Sequence, residues 1–208
     1  MDPPVPKNRL KTVRLLLWVL VALSLAGAAA LLLLRSASVE GPQAESTTTT
    51  ASFGGPFTLT GRDGKPFSSQ RLAGKPYAIY FGFTRCGDVC PMTLSRLVKL
   101  RREAANDQAL NIVFVTIDPD NDGPNEVGQY ATLFNAPIIG LTGSKPQIEQ
   151  VKKQYGIYAQ PVPHAPMGQQ MQHTSTALLF DRSGKFVATI ATDEPDRSAL
   201  QKMRQVAV

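Results

Sequence analysis

The two cysteines of this 208-residue chain stand four residues apart in FGFTRCGDVCPMTL (81–94), as Cys86 and Cys90. An apolar run precedes them, and apolar residues recur at 94, 97, 98 and 100, so they fall where a core strand gives way to a helix. Helix N-terminal amides stabilise a thiolate, which is the reactive form both as a nucleophile and as a soft-metal ligand. Two thiolates at this spacing can converge on one soft ion such as Cu(I), or can join as a disulfide. As an inert staple the bridge would do little, because a loop of about five residues yields only about 2 kcal/mol on chain-entropy grounds. With two cysteines and two histidines in all, paired CxxC zinc ribbons, cysteine-rich secreted modules, ferredoxins and three-histidine zinc sites are excluded.

Both histidines, His164 and His173, lie in one stretch, AQPVPHAPMGQQMQH (159–173), together with Met167 and Met171. Methionine with histidine is a soft-ligand pairing. The same composition also suits an exposed Pro/Gln-rich loop, and both readings stay open. A third polar block, DPDNDG (118–123), resembles the opening of a calcium loop, but its twelfth position is Gln129 and it follows a strand, so calcium is rejected. Asp118 and Asp122 read equally as turn caps or as neighbours of the cysteines.

The elements that must hold these groups can be read from the apolar pattern. FTLT, GRDGK and PF (57–67) form a strand, a turn and a return, which predicts a hairpin. YAIYFGF (77–83) and NIVFVTID (111–118) are nearly continuous apolar strands, as expected when helices cover both faces of a sheet. The helix starting at Cys90 joins them into a βαβ unit with a parallel strand pair. Residues 126–134 and 147–155 read as helices, 176–180 and 186–190 as a strand pair, and 195–206 as a closing helix with proline in its first turn. That order is an α/β, thioredoxin-like fold with an added N-terminal β-hairpin.

Before the body comes LLLWVLVALSLAGAAALLLL (15–34), 20 residues without a charge. As a helix it spans about 30 Å, the thickness of a bilayer's hydrocarbon core. Lys7, Arg9, Lys11 and Arg14 precede it, which places the N-terminus in the cytoplasm and the body on the outer side. A cleaved signal peptide is the competing reading, with Ser36-Ala37-Ser38 as its small-residue site, but the apolar run is longer than such peptides carry. The expected division is therefore a cytoplasmic segment 1–14, a transmembrane helix 15–34, a flexible Ser/Thr/Gly/Pro tether 35–56 and a globular domain 57–208. The chain carries +6, but from Phe53 onward it has 17 basic against 13 acidic residues. These are interspersed and not interleaved with aromatics, which argues against nucleic acid as a partner.

From about residue 53 to 205 the chain resembles the Sco/SenC copper chaperones of respiratory membranes. Their central motif, GFT-x-C-x-D-x-CP, is matched by Gly82 to Pro91; TIDPDNDGP (116–124) is similar to their V-D-P-x-x-D-T-P block; and QHTS (172–175) sits where they carry a histidine before a strand and hairpin. Three departures stand out: Gly87 where the family has proline, Gln172 where it has an acidic residue, and Gly123 where it has threonine. None removes a ligand, but Gln172 weakens any carboxylate support for the histidine.

The resemblance implies that Cys86, Cys90 and His173 hold copper, as Cu(I) or Cu(II). It implies a membrane-anchored metallochaperone that delivers the metal to the dinuclear copper centre of cytochrome c oxidase. Its partner would be the copper-bearing oxidase subunit or another copper chaperone, and its home a bacterial inner membrane with the domain in the periplasm, ahead of a mitochondrial one. The alternative is a thiol–disulfide oxidoreductase that uses Cys86 and Cys90 to reduce client cysteines before metallation, with no need of His173. A thiol peroxidase on the same fold would need Thr84 and Arg85 to orient a peroxide beside one activated cysteine.

Overall fold

A computed structural model describes residues 8–37, 53–105, 110–166 and 171–207. The chain divides into two units, 1–50 and 51–208, each described by itself. The first holds helix α1 (Asn8–Ala37), whose described side chains, 13–27, are all exposed. Among the described residues no helix is long and apolar enough to cross a membrane, so the transmembrane span expected at 15–34 is not shown, although those residues are helical. Most of the expected tether, 38–52, lies outside the described residues, as does Met167.

The second unit is built on a seven-stranded sheet. Its strands are β1 (Thr58–Gly61), β2 (Pro66–Ser68), β3 (Tyr77–Gly82), β4 (Asn111–Thr116), β5 (Ile138–Thr142), β8 (Ala177–Phe180) and β9 (Phe186–Ile190). Their spatial order is β2-β1-β5-β4-β3-β8-β9. The three central strands are parallel, with Ile79 opposite Val113 and Val113 opposite Ile139. The flanking pairs are antiparallel, including the expected hairpin, in which Leu59 faces Phe67. A separate two-stranded ribbon, β6 (Ala159–Pro161) with β7 (Met171–His173), completes the strands.

The helices are α2 (Val89–Ala105), α3 (Pro124–Thr132), α4 (Lys145–Gln154) and α5 (Asp196–Ala207). They match the expected helices to within two residues at most ends, the usual uncertainty of a helix terminus. Proline in the first turn of α3 and α4 supplies a preset φ where no intrahelical N–H bond is needed. The core is aromatic at its centre: Tyr80, Phe81, Phe83, Phe114, Tyr155 and Phe180 are fully buried, with Leu94, Leu97 and Leu100 of α2 against them.

Two features depart from the sequence reading. The run IIGLT forms the third parallel strand, where no strand was expected. It is short and interrupted by Gly140, yet only glycine fits there, because a Cβ would lie 2.6 Å from the Val127 carbonyl oxygen as α3 crosses the strand. The stretch 159–173, read as a loop, contains β6 and β7, three residues each and too polar to show period-2 alternation.

Candidate metal centre

The cysteines occupy the carboxyl-terminal edge of the parallel strands, where open α/β sheets place their sites. β3 ends at Gly82, the chain turns through Cys86, and α2 begins at Val89. Cys90, in the first turn of α2, is fully buried, whereas Cys86 is 8% exposed. Both are free thiols. The Cys90 backbone N–H points at the Cys86 sulfur, 3.4 Å from it. The helix terminus thus serves Cys86 rather than both cysteines.

The two thiols titrate as a pair. The Cys90 side chain hydrogen-bonds to Cys86 and holds its pKa well below the usual thiol value, with His173 and the backbone at Asp88 and Cys90 assisting against burial. Cys90 moves the other way: its bond to Cys86 favours its protonated form, and burial adds to that. Near neutrality the dyad carries one negative charge on Cys86 and one proton on Cys90.

His173, the last residue of β7, brings the third donor from 83 residues downstream. Its Nε2 lies 3.6 Å from Cys90 Sγ, and its Nδ1 lies 2.9 Å from the Thr174 carbonyl oxygen. A carbonyl only accepts, so Nδ1 carries a hydrogen, and Nε2 is the nitrogen turned toward the sulfurs, the one able to ligate a metal in the neutral ring. This backbone carbonyl performs the orienting task for which a carboxylate was expected, so exposed Gln172 is no defect in the site. The ring is further boxed edge-on by Phe83 and Tyr80, with centroids at 5.9 and 6.4 Å. β7 is itself anchored, since the Thr174 N–H donates to the Tyr158 carbonyl at 2.9 Å.

Cys86, Cys90 and His173 thus place their donor atoms within 4.8 Å of one another, and among the described residues they are the one such group. Two sulfurs and an imidazole are a soft donor set, suited to Cu(I) and able to retain Cu(II). A groove of about 670 Å³ opens onto Cys86 and His173, walled in part by Phe83, Val89, Val162 and Met171. His164 does not join the cluster; it sits exposed in the turn beyond β6, at φ 57°.

The acidic block reaches the cysteines indirectly. Asp122 is fully buried, and its carboxyl group accepts from the Thr84 N–H at 2.8 Å, the Thr84 hydroxyl at 2.6 Å and the Thr116 hydroxyl at 2.6 Å. Asp118 pairs with Arg85 at 2.6 Å and accepts from the Asn121 amide. Thr84 and Arg85 are therefore occupied in holding two loops together, not free to orient a peroxide beside the thiolate. Sequence reasoning missed Tyr80, Phe83 and the Thr174 carbonyl as parts of the site. Tyr80 and Phe83 lay inside the quoted strand run 77–83, but a carbonyl has no sequence signature.

Comparison with known proteins covers the stretch of chain that holds these residues. The profile of the SCO1/SenC family matches residues 45–208. The mitochondrial protein SCO2 of Saccharomyces cerevisiae is 35% identical over 156 residues, 73% of this chain and 52% of the yeast protein. The chain thus spans about half the length of that relative. An SCO2-like protein of Rickettsia conorii is 33% identical over 156 residues, 73% of this chain and 75% of the relative. Among solved structures, Bradyrhizobium japonicum ScoI with copper bound has a TM-score of 0.65 at 32% identity, over 74% of this chain and 99% of that one.

Proposed function

The chain belongs to the SCO1/SenC family, and we propose that it is a copper metallochaperone whose cargo is held by Cys86, Cys90 and His173. The observation that carries this reading is the convergence of those three donor atoms within 4.8 Å. Cys86 offers a thiolate already formed, Cys90 yields its proton as the ion enters, and His173 offers Nε2 in the required tautomer. An imidazole beside two thiolates lets one site keep copper through a change between Cu(I) and Cu(II). The client is the dinuclear copper centre of cytochrome c oxidase, reached through its copper-bearing subunit or another copper chaperone. The homologous ScoI, solved with copper bound, supports the choice of metal.

The domain scheme goes with that role: a cytoplasmic segment 1–14, a membrane anchor 15–34, a tether 35–56 and a copper-binding domain 57–208. What supports the anchor is the charge-free run of 20 residues together with its exposed apolar side chains, among them Leu16, Trp18, Leu20 and Leu23. The basic residues ahead of the run support an orientation with the domain outside the cytoplasm, in the periplasm if the membrane is a bacterial inner membrane. Anchoring raises the effective concentration of the chaperone at a membrane-embedded client. Resistance of the full chain to alkaline carbonate extraction is the expected result, and its release would remove the anchor from the scheme.

The decisive experiment is anaerobic copper titration of the reduced full chain in detergent. One copper per chain is expected, weakened by His173→Ala and abolished by Cys86→Ser or Cys90→Ser. The alternative is a thiol–disulfide reductase, favoured by the unequal thiol pair, one ionised and one protonated. It would exchange with disulfides equally well in His173→Ala while holding no copper.

A further inference from the structure

We propose that Met171 is a fourth, transient ligand, a thioether at the mouth of the centre that takes Cu(I) before the thiolates do and releases it last. This rests on the copper-binding reading above. β7 pairs with β6 so that Met171 faces Pro161 and His173 faces Ala159. Residues two apart on a strand share a face, which puts the Met171 thioether on the same side of the ribbon as the imidazole. Both line the groove that opens onto Cys86.

The approach to the site is one-sided. Cys90 is fully buried and Cys86 is only 8% exposed, so an entering ion meets the groove and Cys86 first. The walls beside Met171 include Phe83, Val89, Val162 and Pro166, which keep the groove largely apolar. A neutral thioether is too weak a donor to compete with water in the open, but it competes better in such surroundings. It also discriminates by softness, because a thioether suits Cu(I) and is poor for Cu(II). Transfer is then stepwise ligand exchange with no change of oxidation state. The ion keeps at least two soft donors while one sulfur replaces another, and the Cys90 proton leaves to solvent or buffer as its thiolate engages.

The test uses Ag(I), a redox-inert monovalent soft ion, with the reduced full chain in detergent and its methionine methyl groups labelled with carbon-13. Met203 is fully buried in α5 and serves as internal reference, and Met92, 57% exposed, as surface control. The Met171 methyl resonance is expected to shift on adding Ag(I) while those of Met203 and Met92 stay in place. Met171→Leu, which conserves volume, is expected to weaken Ag(I) and Cu(I) binding by about tenfold and slow their uptake, leaving Cu(II) affinity unchanged. Stoichiometric Ag(I) binding with an unmoved Met171 methyl, or with the shift on Met167 instead, overturns the proposal and leaves the three-ligand centre standing. Failure of the reduced protein to take up Ag(I) at all overturns both.

Discussion

Thr84 gives both its backbone N–H and its hydroxyl to the carboxyl group of Asp122, 38 residues further along, at 2.8 and 2.6 Å. This pair of hydrogen bonds between two loops fixes the residue two before Cys86. It also joins the ends of adjacent parallel strands β3 and β4, where the Ile117 N–H donates to the Gly82 carbonyl at 2.8 Å. The loop that bears Cys86 is therefore held by the buried acid Asp122.

Thr84→Val should keep the shape and remove one donor, leaving a buried acceptor short of a partner at a cost of roughly 1–3 kcal/mol. Thermal unfolding should move down by several degrees. Copper affinity should fall as well, because the cysteine loop loses its anchor. A variant that unfolds earlier yet binds copper as tightly as the parent would confine the bond to stability.

Gly82→Ala tests the packing behind the buried sulfur. A Cβ there would meet Cys90 Sγ at 2.8 Å and the rings of Tyr80 and Phe114 at 3.1 and 3.2 Å. The backbone has no unusual φ at this position, so the conflict is purely one of space. Overpacking of this kind costs roughly 1–3 kcal/mol, and displacement of Cys90 should lower copper affinity by about tenfold or more. Calorimetry and a copper competition assay on the same sample separate the two effects.

Copper uptake should release about one proton from the thiol pair at pH 7.5. Cys86, whose pKa is lowered, has already lost its proton, and Cys90, whose pKa is raised, still holds its own. Two thiols with ordinary values near 8.5 would release close to two. Calorimetric titration in buffers of differing ionisation enthalpy gives the count. Apparent affinity should rise with pH, by one proton per copper above the Cys86 transition and by two below it.

Arg96 provides a contrast away from the site. Its guanidinium donates to the carbonyls of Ala191, Thr192 and Glu194 and pairs with Asp196 at 2.7 Å, tying α2 to the start of α5. Arg96→Ala should cost roughly 2 kcal/mol through the lost carbonyl bonds and change copper affinity little. Arg96 and Lys99 lower the Asp196 pKa. That stabilisation is present above the ordinary carboxylate value and disappears as pH falls through the lowered one. The stability gap between parent and variant should therefore narrow at low pH without closing, because the carbonyl bonds do not titrate; a gap constant with pH would show that the Asp196 pairing adds nothing.

The sequence by itself determined the chemistry and most of the frame. Thiol spacing, apolar strand runs and helix periodicity named Cys86 and Cys90, the βαβ unit, the added hairpin and the closing helix, because those signals are local. His173 was legible only through the resemblance of QHTS to a family block, since one histidine before a strand has no local signature. Tertiary structure decided what depends on distant neighbours. β5 exists because β4 and β1 flank it, and only glycine lets α3 cross its residue 140. β6 and β7 are strands because each pairs with the other. Which thiol ionises, which imidazole nitrogen faces the sulfurs, and what Asp122 restrains all follow from groups tens of residues apart meeting where little water competes. Hydrogen bonds and charges act through space, and residue order along the chain does not encode that proximity.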